Sequence, residues 1–214
     1  FFLEGNTLFL LGKNKLELQV GARSVTQIGM SERYLLQGKP YIDPRANAQW
    51  SFPAIPVAGK DLHISISGGY GVTTKMPTLD YLYPDLWYND IVQLNYDVNK
   101  PLEYSRVNII TYIEDITNYD LKPARNHKWE VRGDISFEGN RLSVTYFHEN
   151  LTSGFRTSSF YAPFSYRKYD HSAVDASGLQ GPPALEDIPY TDMKALNGYR
   201  QSANGSRIDK QGIE

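Results

Sequence analysis

The side chains that could do chemistry are scattered along this 214-residue chain rather than gathered in motifs. Its histidines, His63, His127, His148 and His171, lack the spacing of a zinc motif. Cysteine is absent, which excludes thiolate metal sites and disulfides. No Gly-x-Ser-x-Gly elbow occurs, and no pair of carboxylates stands out for acid–base work. We therefore predict no catalytic residue, no metal site and no cofactor, and we do not expect an enzyme.

Aromatic residues in the polar, irregular stretches are the best candidates for contact with a ligand. They are Trp87, Tyr88, Tyr161, Phe164 and Tyr166. Aromatic faces can stack on sugars or flat chelates, and loops are where binding residues concentrate. The competing interpretation is that these rings pack the long loops against each other.

The element that must position such loops is the strand. Apolar residues from Trp129 to Phe137 fall on one parity and polar residues on the other, which is typical of a strand with one face of each kind. Gly139 and Asn140 then supply turn chemistry. The alternation restarts from Leu142 to Tyr146, so the sequence predicts an antiparallel hairpin.

Further stretches repeat this pattern, and about seven strands are expected in all. Besides the hairpin, the predicted strands cover residues 3–11, 16–23, 45–52 and 62–72, and a last strand begins at residue 207. Residues 107–113 form an apolar patch that we expect to pair locally. The sequence therefore predicts an all-β fold with an antiparallel, up-and-down order of strands.

The connections between these strands alternate in length. Residues 12–14, 53–60 and 138–140 are short connections, whereas 73–120 and 156–203 are long. Alternate connections of an antiparallel meander lie at the same end, and loops of such length are uncommon unless they are functional. Tight turns at one end and long loops at the other are typical of an outer-membrane barrel.

A secreted or surface β-sandwich that binds carbohydrate or a protein partner is the alternative, because it would show the same alternation. Strands near ten residues favour a tilted bilayer crossing. Trp50, Phe52 and Phe137 lie beside short turns, where an interfacial aromatic girdle would be. The formal charge of −2 provides no basic field for nucleic acid. These features favour a section of a large transmembrane β-barrel.

Several short motifs, in order along the chain, resemble those of TonB-dependent outer-membrane receptors of the Bacteroidetes kind. A glycine-rich strand (GYG, residues 69–71) leads into MPTLDYLYP at 76–84. LKP at 121–123, followed by WE at 129–130, is similar to the family's next strand, and YF at 146–147 is similar to the partner after the turn. PR at 44–45 and GIE at 212–214 are similar to two further patterns.

This resemblance implies a role in nutrient uptake and a place in the bacterial outer membrane. A receptor of this kind captures a small ligand (siderophore, glycan, cobalamin or peptide) at extracellular loops and imports it, with energy from the TonB complex acting through a plug domain. Such barrels have 22 strands. Residues 1–214 are therefore expected to be a single partial barrel domain, from which the plug and the barrel ends are absent.

Overall fold

The computed structural model describes residues 1–97 and 104–214. Strands dominate these residues, and a single four-residue α-helix, α1 (Leu79–Leu82), and two one-turn 3₁₀ helices, His171–Ala173 and Leu185–Asp187, accompany them. Among the described residues, no helix has the length and apolarity needed to span a membrane. The prediction of an all-β fold is confirmed.

Ten strands form within residues 1–97 and 104–214, and their bounds extend most of the predicted strands by a few residues. They are β1 (Phe2–Leu11), β2 (Asn14–Thr26), β3 (Pro40–Ser51), β4 (Ile55–Val57), β5 (Lys60–Lys75), β6 (Trp87–Tyr96), β7 (Arg106–Glu114), β8 (Ala124–Phe137), β9 (Asn140–Tyr169) and β10 (Tyr190–Ile213).

The main sheet has the order β1-β2-β3-β5-β8-β9-β10, with β4 beside β5. The pairs from β1 to β9 are antiparallel. Thr145 of β9 and Glu214 exchange both backbone hydrogen bonds at 2.9 Å, the pattern of an antiparallel pair. Seven strands therefore follow the chain in an antiparallel meander, as the alternating patterns predict, with β1 and β10 as its edges.

The antiparallel order places the short and long connections at opposite ends of this sheet. The turns at residues 12–13 and 138–139 share one end, because β1 and β8, the strands that lead into them, run in the same direction in the antiparallel order. The connections at 27–39 and 76–123 leave from the other end. Glu138 and Gly139 both have positive φ values, 50° and 81°, which suit a two-residue hairpin. The predicted asymmetry of the connections is confirmed.

The expectation that residues 53–60 form a plain connection is wrong. Residues 55–57 form β4, which pairs with β5 across a two-residue turn. Ala58 and Gly59 make that turn, with φ values of 49° and 79°. Two prolines obscure the strand in the sequence, but proline is tolerated where a strand is short or lies at an edge.

The expectation that residues 156–203 form one long loop is also wrong. Strand β9 continues to Tyr169, and β10 begins at Tyr190, so the irregular connection covers only 170–189. The upper part of β9 still alternates, since Ala162, Phe164 and Tyr166 are less exposed than their neighbours. Pro163 and the many hydroxyl side chains hide this period in the sequence. The local pairing expected at 107–113 is confirmed, because β7 pairs with β6 in a separate two-stranded sheet.

The chain divides into two compact units. Unit 1 comprises Phe1–Leu82, Asn118–Arg156 and Ser202–Glu214, and unit 2 comprises Tyr83–Thr117 and Thr157–Gln201. The buried core of unit 1 consists of Tyr34, Leu36, Leu82 and Leu121. The core of unit 2 consists of Leu94, Tyr96 and Ile188. In unit 1 the core is thus built by connecting segments and not by the middles of the strands.

Candidate functional site

One face of the sheet in unit 1 is apolar and open to the surroundings. The strand register places Trp50 beside Ile66, Ile66 beside Gly133, and Gly133 beside Val144. Ile66 is 49% exposed, and Val131, on the same face of β8, is 48% exposed. Large apolar side chains normally lie inside a soluble protein, so a contiguous exposed face of this kind needs a covering medium or partner.

The opposite face carries hydrogen-bonded charges. Asp134 of β8 is only 8% exposed and accepts bonds from Arg132 (2.8 Å), Arg141 (3.0 Å) and the Ser143 hydroxyl (2.5 Å). These groups satisfy the acceptor oxygen of a carboxylate that would otherwise be costly to bury. The sheet is therefore inside out: its charged face is the more covered one.

A second network of hydrogen-bonded polar side chains crosses β1, β2 and β3 on this face. Gln19 donates to Glu4 (2.5 Å), and Asn47 donates to Gln19 (2.9 Å). Arg45 forms an ion pair with Glu4. A groove of about 710 Å³ runs along these strands and on to Glu130 and Arg132 of β8. The polar face is thus a continuous, concave surface in unit 1.

Asp43, near the end of β3 that adjoins the long connections, is the most buried carboxylate of unit 1. It accepts from Arg23 (2.8 Å), from the Thr74 backbone N–H (3.0 Å) and from the Thr74 hydroxyl (2.5 Å). Asp43 is 4% exposed, and Thr74 is buried as well. The carboxylate therefore fastens three strands together: β2, β3 and β5.

Aromatic and polar groups form the borders of the apolar face along the direction of the strands. Tyr70 hydrogen-bonds His127 (2.9 Å), and the Trp129 ring lies 5.4 Å from that of Tyr146. Trp129 and Phe137 delimit about nine residues of β8, the length of a tilted strand that crosses a bilayer. At the short-turn end, the rings of Trp50 and Phe52 lie 6.5 Å apart.

The predicted ligand aromatics all lie in unit 2, where the structure separates them into two groups. Phe164 is 6% exposed, and its ring packs against Trp87 (5.7 Å) and Tyr112 (5.0 Å). Trp87 also contacts Tyr199, at 5.6 Å. Trp87 and Phe164 therefore join a packed aromatic cluster, which is the interpretation that competed with ligand contact.

The remaining candidates are more accessible. Tyr88 of β6 is 60% exposed and Tyr161 of β9 is 70% exposed. One edge of the Tyr161 ring lies over Gly198, where a Cβ would come within 2.9 Å of Cε1. Tyr166 is half-buried. Tyr88 and Tyr161 keep ring faces that an incoming ligand could reach, Trp87 is half-buried, and Phe164 is buried.

The connection between β9 and β10 contains a locally stabilised carboxylate. The Ser172 hydroxyl (2.6 Å) and its backbone N–H (3.0 Å) both donate to Asp170. These bonds favour the charged form and hold the pKa of Asp170 below its usual range. Within the described ranges, no group of three or more potential metal ligands converges. The predicted absence of catalysis and of a cofactor remains a prediction.

Sequence reasoning overlooked a small cavity in unit 1, lined by Lys39, Tyr41, Lys122 and Arg125 among others. Its residues come from three parts of the chain, residues 35–41, residues 122–125 and Ser153, so no local spacing in the sequence predicts that they meet. Comparisons of the chain with models of protein families, with curated proteins and with solved structures found no match.

Proposed function

We propose that this chain is a section of a TonB-dependent receptor in the bacterial outer membrane. Its sheet would form part of the wall of a large transmembrane β-barrel, with the apolar face toward lipid and the polar face toward the lumen. The observation that carries the proposal is the inside-out sheet of unit 1, in which Ile66 and Val131 are half-exposed while Asp134 is buried.

The energetics of a membrane support this orientation. A charged side chain on the lipid face of a barrel costs roughly 2–4 kcal/mol at the bilayer midplane. The ion-paired groups Arg132, Asp134 and Arg141 all avoid the face that carries Ile135 and Leu142. The belt of Tyr70, Trp129 and Tyr146 suits a membrane interface, since such rings combine an apolar body with a polar tip.

The role of the protein would be uptake without chemistry on its substrate. The long connections capture a nutrient ligand outside the cell, and the ligand then passes through the barrel when a plug domain responds to the TonB complex. Siderophores, glycans, cobalamin and peptides are the ligand classes that the family resemblance offers. Tyr88 and Tyr161 are the aromatic contacts that the geometry leaves open for this step.

Cysteine scanning tests the orientation directly, because the chain has no cysteine of its own. Single cysteines replace Glu130, Val131, Arg132 and Gly133 in the intact protein, reconstituted in liposomes. A water-soluble maleimide should label positions 130 and 132, whose native side chains are half-exposed on the polar face, and only a lipid-soluble one should label 131 and 133. Equal labelling of all four positions by the water-soluble reagent would remove the basis of the proposal.

A further inference from the structure

The hairpin of β6 and β7 in unit 2 has one packed face and one exposed face. The packed face contributes Leu94 and Tyr96 to the core of unit 2. The exposed face carries five large apolar side chains, each between 49% and 60% exposed: Tyr88, Val92, Val107, Ile109 and Ile113. These five residues define the hairpin face. Cross-strand pairs such as Val92 and Ile109 make them neighbours, and a contiguous exposed apolar surface of this kind marks an interaction site.

The charges at the hairpin face are negative. Asp90 lies in its middle, where it accepts a hydrogen bond from the Thr111 hydroxyl (2.6 Å), and Asp97 adjoins it at the end of β6. Both carboxylates are exposed, and neither forms an ion pair with a residue that the structure describes. Arg106 is the only cation of the two strands, and it donates to the Pro183 carbonyl (2.6 Å).

These charges restrict what can cover the hairpin face. Lipid does not fit, because it would enclose the Asp90 carboxylate in hydrocarbon. A second copy of the chain does not fit, because a two-fold interface uses the same patch on both subunits and would bring the two Asp90 carboxylates together. A surface that combines apolar side chains with cations matches both the apolar area and the charge.

We propose that the hairpin face docks a second protein, whose contact surface combines apolar side chains with lysine or arginine. A cation of the partner pairs with Asp90, and its apolar side chains cover Val92 and Ile109. The attraction between opposite charges fixes the register of the contact, and the covered apolar area stabilises it. The proposal rests on unit 2 alone and does not require that the main sheet lies in a membrane.

Fluorescence anisotropy on the intact protein in a non-ionic detergent tests the chemistry of this surface. The probe is a short fluorescein-labelled peptide in which lysine and valine alternate, and the control peptide has glutamate in place of lysine. The lysine peptide should bind with a Kd below about 1 mM, and more weakly as salt is added. The glutamate peptide should bind at least roughly tenfold more weakly. No binding of the lysine peptide, or equal binding of both peptides, would overturn the proposal.

Two double variants assign the binding to the hairpin face. Asp90→Asn/Asp97→Asn removes its charges, and Val92→Ser/Ile109→Ser removes part of its apolar area. Each should weaken binding of the lysine peptide by roughly fivefold or more. All four native side chains are exposed, so we expect both variants to fold.

The matched controls remove the same kinds of group from exposed positions elsewhere. Asp187→Asn/Asp192→Asn and Ile28→Ser/Leu196→Ser should bind the lysine peptide as the parent does. If the two hairpin-face variants also bind it as the parent does, the peptide lies elsewhere and the proposal is wrong.

Sedimentation velocity separates a foreign partner from a second copy of the chain. The parent and Val92→Ser/Ile109→Ser should sediment alike, because the hairpin face does not mediate self-association. A parent dimer that this variant cannot form would place a second copy on the face and contradict the proposal.

Discussion

At the scale of single residues, apolar side chains in the main sheet are exposed and carboxylates are buried, which is the reverse of the usual pattern in soluble proteins. Ile66, in the middle of β5, is half-exposed, whereas Leu82, in the short helix α1, is completely buried. Asp43 and Asp134 are buried, and each is surrounded by donors. The sequence predicted that apolar and polar residues alternate between the two faces of a sheet, but it did not predict which face points outward. Either a sandwich or a barrel would produce the same alternation.

Replacement of a large apolar side chain by alanine distinguishes a barrel face covered by lipid from a sandwich face covered by protein. Ile66→Ala should lower the free energy of unfolding by about 1–2 kcal/mol, because fluid lipid or detergent fills the space and only the transfer of methylenes is lost. Leu82→Ala in the same unit should cost about 2–5 kcal/mol, because it leaves a cavity among fixed neighbours. Denaturant unfolding of the intact protein in detergent measures both. A larger loss for Ile66→Ala than for Leu82→Ala would favour the packed sandwich.

Removal of the buried Asp43 carboxylate should lower the free energy of unfolding far more than removal of an exposed carboxylate. Asp43→Ala leaves the buried Thr74 N–H and hydroxyl without an acceptor, which should cost about 1–3 kcal/mol. Glu130→Ala removes only a half-exposed pair with Lys128 and should cost about 0–1 kcal/mol. Thermal unfolding of the two variants under the same conditions compares them. Equal melting temperatures would show that Asp43 does not fasten its strands.

At the scale of elements, the strands whose apolar residues alternate cleanly were predictable, and the others were not. The hairpin of β8 and β9 was visible because Trp129 to Phe137 keeps a strict period and Gly139 marks the turn. The upper half of β9 was missed because Pro163 and a run of hydroxyl side chains lower its hydropathy. Phe164 is buried because its ring packs against Trp87 and Tyr112, and the local sequence does not predict these contacts.

Two strand glycines of the main sheet offer a matched test of how closely its strands pack. A Cβ on Gly154 of β9 would lie 2.9 Å from the Ser206 Cβ and 3.1 Å from the Ser206 carbonyl oxygen, whereas Gly133 of β8 has open space. Gly154→Ala should therefore destabilise by about 1–3 kcal/mol, as overpacking does. Gly133→Ala should be neutral or stabilising by about 0.4–1 kcal/mol, because alanine has less backbone entropy to lose.

The unfolding free energies of these two alanine variants, measured side by side, check the pairing of β9 with β10. Tolerance of alanine at Gly154 would mean that β10 does not approach β9 as closely as the structure shows. A strong loss at Gly133 would mean that the apolar face of β8 is covered by protein. Either result would require a different arrangement of this sheet edge.

At the scale of the whole molecule, the antiparallel order and the asymmetry of the connections could be read from the sequence. The division into two compact units could not, because it depends on which loop residues meet, such as Tyr34, Leu82 and Leu121. The ligand contacts predicted for the five aromatic residues stay a prediction; of these rings, Tyr88 and Tyr161 are the most exposed and Phe164 is buried. The small cavity of unit 1 could not be predicted, because the residues that line it come from distant segments of the chain.

The central claim is that the apolar face of the main sheet contacts lipid, and the three tryptophans of the chain test it most directly. Each tryptophan is kept in turn while the other two are replaced by phenylalanine, and the intact protein is reconstituted in bilayers of brominated lipids. Brominated acyl chains should quench Trp129 and Trp50, which border the apolar face. They should leave Trp87 bright, because it packs against Phe164 and Tyr199. Bright Trp129 and Trp50 in these bilayers would contradict the account.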